Sequence, residues 1–132
     1  MIDFDALIDK LEAWTDHSFH ADRQLSDEVL LADGWQCEDD GGRVKWSRKF
    51  GSATSSIWEP HHPHPLQDLN AAFALRPYGT NINTICGQHR CQAAVYVPLA
   101  PFEPFIGESP ELTVAICIAS LKAIKAKAAP NG

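Results

Sequence analysis

Apolar residues recur along this chain at two spacings, and the switches between them mark out the elements. Phe4, Leu7, Ile8 and Leu11 share one face of a helical turn, while Asp5, Asp9 and Glu12 fall on the other. With Asp3 as a cap, this predicts an opening amphipathic helix. After the polar break DHSFH, Leu25, Val29 and Leu30 return at helical spacing over Asp22 to Ala32, and Gly34 stands where a left-handed helix end requires it. Strict alternation then takes over. Trp35 and Cys37 alternate with Gln36 and Glu38, Asp39, Asp40, Gly41 and Gly42 read as turn chemistry, and Val44 and Trp46 alternate with Lys45 and Ser47. The pattern predicts a hairpin with one buried face, then a shorter strand over Ser55 to Trp58 after a turn from Gly51 to Thr54.

The prolines of EPHHPHP, at 60, 63 and 65, fix backbone angles and remove donors, so this stretch is a loop by necessity. Leu66, Leu69 and Phe73 resume helical spacing until Pro77 and Gly79. Two extended runs, Thr80 to Cys86 and Cys91 to Val97, flank the loop Gly87, Gln88, His89, Arg90. Their pairing would place Ile82, Thr84 and Cys86 on the face of Cys91, Ala93, Val95 and Val97. Pro98, Pro101 and Pro104 predict an extended loop presenting Phe102, Phe105 and Ile106, whose cover would favour a homodimer. Ser109 as cap, Pro110 in the first turn and Glu111 near the positive helix end open a last helix, apolar all round from Leu112 to Leu121 and closed by Lys122, Lys125 and Lys127. The order αα-ββ(β)-α-ββ-α describes an α+β fold, an antiparallel sheet of four to five strands sandwiched by about four helices. It forms one domain over residues 1–129 with a frayed tail at 130–132.

Composition narrows the partners. A chain of 132 residues, 45% apolar and 21% charged, has the balance of one globular core. Seventeen acids against eleven bases leave a net charge of -6, which opposes binding to a phosphate backbone, so no nucleic acid is expected. The most apolar stretch, Leu112 to Ile124, is broken at Lys122 and falls short of the ~20 residues a membrane helix needs, so no membrane partner is expected. MIDFDALIDKLEA carries acids where a secretory signal carries bases, which predicts a protein that stays in the cytoplasm.

Two clusters invite a metal reading: His61, His62 and His64 in the proline loop, and Cys86, His89 and Cys91 in CGQHRC. Neither has the paired ligand spacing of a zinc finger, and no HExxH motif accompanies them, so zinc is kept as an alternative and no cofactor is expected. Without an export signal, Cys86 and Cys91 are expected as free thiols. Cys37 and Cys117 read as small buried hydrophobes. Arg43, Lys45, Arg48 and Lys49 form the basic cluster, and Arg43 and Lys45 with Trp46 and Arg90 are candidate contacts for a small anionic ligand. There is no Walker, Rossmann or G-x-S-x-G motif, and no evident nucleophile, acid and base set, so catalysis is not expected. That expectation depends on folding not gathering the imidazoles, thiols and carboxylates into one cleft.

Three segments, LIDKLEAWTDHSFHADRQLSDEVLLADGWQC, PLQDLNAAFALRPYGTNINTI and SPELTVAICIASLKA, resemble the phage ABA sandwich domain family of small bacteriophage and prophage proteins. The resemblance implies a sheet sandwiched by helices and a phage or prophage accessory protein in the bacterial host cytoplasm, and it brings no catalytic residues. The expectation is a non-enzymatic protein that binds a host protein or a small anionic metabolite, as an antagonist of a host defence. A virion structural component is the other alternative. The HHPHP loop and the cysteine-flanked hairpin depart from the family pattern.

Overall fold

The computed structural model describes residues 3–14, 18–50, 52–59, 61–75, 77, 80–96 and 104–128. The expectations for Gly51, Pro60, Gly79, Val97, Phe102 and the tail at 130–132 lie outside them.

Capping sets the first two helices. In α1 (Phe4–Glu12) the Asp3 carboxylate accepts the Ala6 N–H, and Leu7, Ile8 and Leu11 are buried, as their spacing predicts. Helix α2 (Phe19–Ala32) starts earlier than the apolar period indicates, because the Ser18 hydroxyl accepts from the Ala21 N–H. At its end Gly34 has φ of +104°, the Trp35 N–H reaches the Leu30 carbonyl at 3.0 Å and the Gly34 N–H reaches Leu31 at 3.2 Å. These two bonds make a Schellman cap, which needs the left-handed conformation at Gly34.

Strands β1 (Gln36–Asp40), β2 (Arg43–Phe50) and β3 (Ala53–Trp58) form one antiparallel sheet in that order. Gly41 and Gly42 close its first turn with φ of +64° and +88°, the two positive angles that a tight hairpin turn matching strand twist demands. One part of the prediction fails here. Strand β1 is exposed along its whole length, so Cys37 is on the surface rather than inside. Cys37 faces Trp46 across the ladder, but the His62 ring stacks on the Trp46 indole while Cys37 itself stays exposed on the edge strand.

The second sheet contains β4 (Asn81–Cys86), β5 (Cys91–Tyr96) and β6 (Phe105–Ser109), also antiparallel. Ile82↔Val95, Thr84↔Ala93 and Cys86↔Cys91 are partners, the predicted register. The residues from Phe105 onward, expected in a loop, instead form β6, with Val95↔Phe105 and Ala93↔Gly107 as partners. Phe105 is half-buried and Ile106 exposed. The α+β class stands, with two three-stranded sheets in place of a single one of four to five strands.

Cys86 and Cys91 are joined by a disulfide, which corrects the expectation of free thiols. They are directly opposed, with Cα atoms 4.0 Å apart, next to the Gly87 N–H bond to the Arg90 carbonyl that closes the turn. Cys117, in α4, is free and buried as expected, and burial raises its thiol pKa.

Helix α4 (Leu112–Ala128) is the hub, packing on β5, β6, α1, α2 and α3. Every residue from Val114 to Leu121 is buried, which is why its apolar surface runs all round. Ser109 ends β6, its hydroxyl accepting from the Glu111 N–H. Gly107 lets β6 lie directly on this helix: a Cβ there would come within 2.2 Å of the Ala115 carbonyl oxygen. Among the described residues, no helix is long and apolar enough to cross a membrane.

Candidate functional site

The proline loop is irregular, as expected, yet its backbone is held at both ends. Glu59 N–H bonds to the Val44 carbonyl and His61 N–H to Trp58, tying its start to the first sheet. Its far end is clamped at Leu66, whose N–H is taken by the buried Ser26 hydroxyl of α2 at 3.0 Å and whose carbonyl accepts from Thr113 of α4 at 2.8 Å. After it, Asp68 caps the short helix α3 (Leu69–Phe73).

This loop, the end of α2, β2 and α3 enclose a cleft of about 780 Å³. Leu30, Trp35, Ala71, Ala74 and Leu75 supply apolar wall, and His61, His62, His64, Asp33, Arg48 and Asp68 supply polar groups. The expectation that folding leaves imidazoles and carboxylates dispersed is thereby overturned.

His62 is at the centre. It is 3% exposed, stacked parallel on Trp46 at 5.1 Å and edge-on to His64 at 4.4 Å. Its Nε2 is 3.0 Å from an Asp27 carboxylate oxygen and 3.7 Å from Glu59, while its buried Nδ1 has no hydrogen-bond partner among the described residues. His64 Nε2 lies 3.4 Å from an Arg23 guanidinium nitrogen. Asp27, His62 and His64 offer three ligand atoms within 4.8 Å of one another, and theirs is the cluster of this kind among the described residues. His61 is exposed and outside it.

In the lining of the same cleft, Asp33 pairs with Arg48. Burial pushes the Asp33 carboxyl up to about 6, against the opposing pull of the Arg48 charge and hydrogen bond. A carboxyl held near neutrality in a cleft is a recurrent mark of function.

The other predicted contacts do not converge. Arg43 and Lys45 lie over the Trp58 ring, at 4.4 and 6.0 Å from its centroid, and Lys45 also pairs with Glu38. Trp46 follows Lys45 in the strand, so it points to the other face and is buried beneath His62. Arg90 is exposed in the β4–β5 turn, in the other sheet. Cys86 and Cys91 are bonded to each other and cannot serve as thiolate ligands, which leaves the exposed His89 without its expected companions.

Sequence reasoning missed Asp27 and Asp33 as site residues and left Arg48, a member of the basic cluster, out of the candidate contacts. The available signal was the spacing on α2: Arg23 and Asp27 are four apart on one helical face, with Ser26 beside them turned inward. No family model matches the chain, no curated protein matches it, and no solved structure matches it. The resemblance to the phage ABA sandwich proteins therefore rests on its three sequence segments alone.

Proposed function

We propose that this protein is a binding protein for a small organic anion, taken up in the cleft with its apolar body against Trp35, Ala71 and Ala74 and its acidic group at Arg48. The observation that carries this reading is the Asp33–Arg48 pair in the wall of a cleft otherwise largely apolar. Arg48 replaces Arg43, Lys45 and Arg90 as the anchoring cation. The setting, a non-enzymatic phage or prophage accessory protein acting on a host metabolite in the bacterial cytoplasm, comes from the family resemblance. Gathering imidazoles and carboxylates in one cleft removes the sequence-based ground against catalysis; binding is the reading that the Asp33–Arg48 pair supports, with His62, its Nε2 engaged by Asp27, as a fixed group of the wall.

Asp33 gives the reading a pH signature. Below about 6 its carboxyl is protonated, the Arg48 charge is no longer neutralised, and the cleft becomes more positive. Affinity for an anion should rise as pH falls through that value, and should lose this dependence in Asp33→Asn. Isothermal titration against cyclic nucleotides, cyclic ADP-ribose isomers and aromatic carboxylates tests it: heat with one class, abolished in Arg48→Ala, is expected, and no heat with any class would sink the proposal.

A further inference from the structure

Beyond the organic ligand proposed for the cleft, we infer that Asp27, His62 and His64 hold a divalent transition-metal ion, with zinc as the best fit; His62 and His64 also line that cleft, but the inference does not rest on what else occupies it. The donors are one carboxylate oxygen and two imidazole nitrogens, within 4.8 Å of one another. Zinc takes such ligands at about 2.1 Å, which places tetrahedral neighbours about 3.4 Å apart. The 3.0 Å between His62 Nε2 and the Asp27 oxygen is already close to that spacing, and no two donors of the set are more than 4.8 Å apart.

Two further features point to an ion rather than a plain hydrogen-bonded pair. The His62 ring is held in place by its stack on Trp46, so the cost of ordering this ligand is met by folding. Finally, the local charge favours a cation: Glu59 stands 3.7 Å from His62 Nε2, adding a second carboxylate to that of Asp27. The same two carboxylates help burial to raise the pKa of the nearby Cys37 thiol, with Asp39 and Glu38 contributing after them.

The opposing group is Arg23, whose guanidinium is 3.4 Å from His64 Nε2. Two carboxylates outweigh one guanidinium, and removing the guanidinium removes its repulsion of a second cation, so Arg23→Met should tighten binding.

Equilibrium dialysis of untagged, chelator-stripped protein against zinc and cobalt, followed by elemental analysis, tests the inference. One ion per chain is expected, with the cobalt d–d absorption of a nitrogen and oxygen site and a rise in Tm that chelator reverses. Asp27→Asn and His64→Gln, at half-buried positions and close in shape to the residues they replace, should each weaken binding at least about tenfold, while His61→Ala and His89→Ala should leave it unchanged. His62→Ala also removes the stack on Trp46, so those two variants carry the test. Substoichiometric binding, binding that survives both variants, or a thiolate-to-cobalt charge-transfer band that disappears in Cys37→Ser would each overturn the assignment.

Discussion

The α4, β5 and β6 packing and the region around the proline loop use the same kinds of residues to opposite ends. In the first, contact is close enough that a glycine is required at 107, and the buried stretch of α4 from Val114 to Leu121 is apolar except for Ser120. In the second, two aromatic rings are stacked, Trp46 Nε1 and His62 Nδ1 are buried with no hydrogen-bond partner among the described residues, and a carboxyl is buried against an arginine. The first region holds one such atom, Ser120 Oγ, in an otherwise apolar stretch. The second gathers several beside a buried ion pair and a cleft, and that combination is the physical sign of a site.

The sharpest way to break this contrast is Gly107→Ala. The new Cβ would meet the Ala115 carbonyl oxygen at 2.2 Å, the Ala119 nitrogen at 2.7 Å and the Ile118 Cβ at 2.8 Å, and backbone atoms yield little. Overpacking of this kind should cost about 3 kcal/mol or more in urea unfolding, with no change specific to the cleft. Next comes Asp33. Its folded pKa of about 6 exceeds the ordinary 3.8, so the native state binds more protons than the unfolded state between those values, and stability falls as pH rises from about 4 to about 6. The loss amounts to up to about 3 kcal/mol at about 1.4 kcal/mol per pH unit. Denaturant titrations of the wild type and Asp33→Asn across that range should differ by this slope, which the variant lacks.

Smaller effects follow. Ser26→Ala strands the Leu66 N–H and should cost about 1 to 2 kcal/mol, with hydrogen exchange quickening in the loop while α4 stays protected. The least costly test is chemical. Without reductant, Cys37 alone should alkylate in the native protein, Cys117 on unfolding, and Cys86 and Cys91 after reduction. A native protein alkylated at Cys86 would contradict the disulfide. The disulfide also takes away the support that free thiols would have lent to a cytoplasmic location.

What could be read from the chain was what is decided locally. The Asp3 cap, the Gly34 end, the Gly41–Gly42 turn and the pairing of β4 with β5 depend on neighbours in sequence or on one short turn. Strand β6 was illegible because prolines precede it and a glycine interrupts its alternation; it is a strand because β5 offers it a partner and α4 needs a flat surface beside it. For the site, the histidines announced themselves as a cluster in one loop, but their partners did not. Asp27 is 35 positions from His62, and Asp33 and Arg48 are 15 apart, so only tertiary structure could match them.

The Leu66 peptide, gripped on one side by a hydroxyl of α2 and on the other by a hydroxyl of α4, acts as a bracket on which the imidazole-bearing loop hangs. The bracket belongs to the scaffold rather than to the side chains at 61, 62 and 64. His61, exposed, can therefore be re-equipped with another donor while the main-chain path stays in place, whereas His62 is itself packed on Trp46, which makes the outer edge of the loop the graft point for new recognition chemistry.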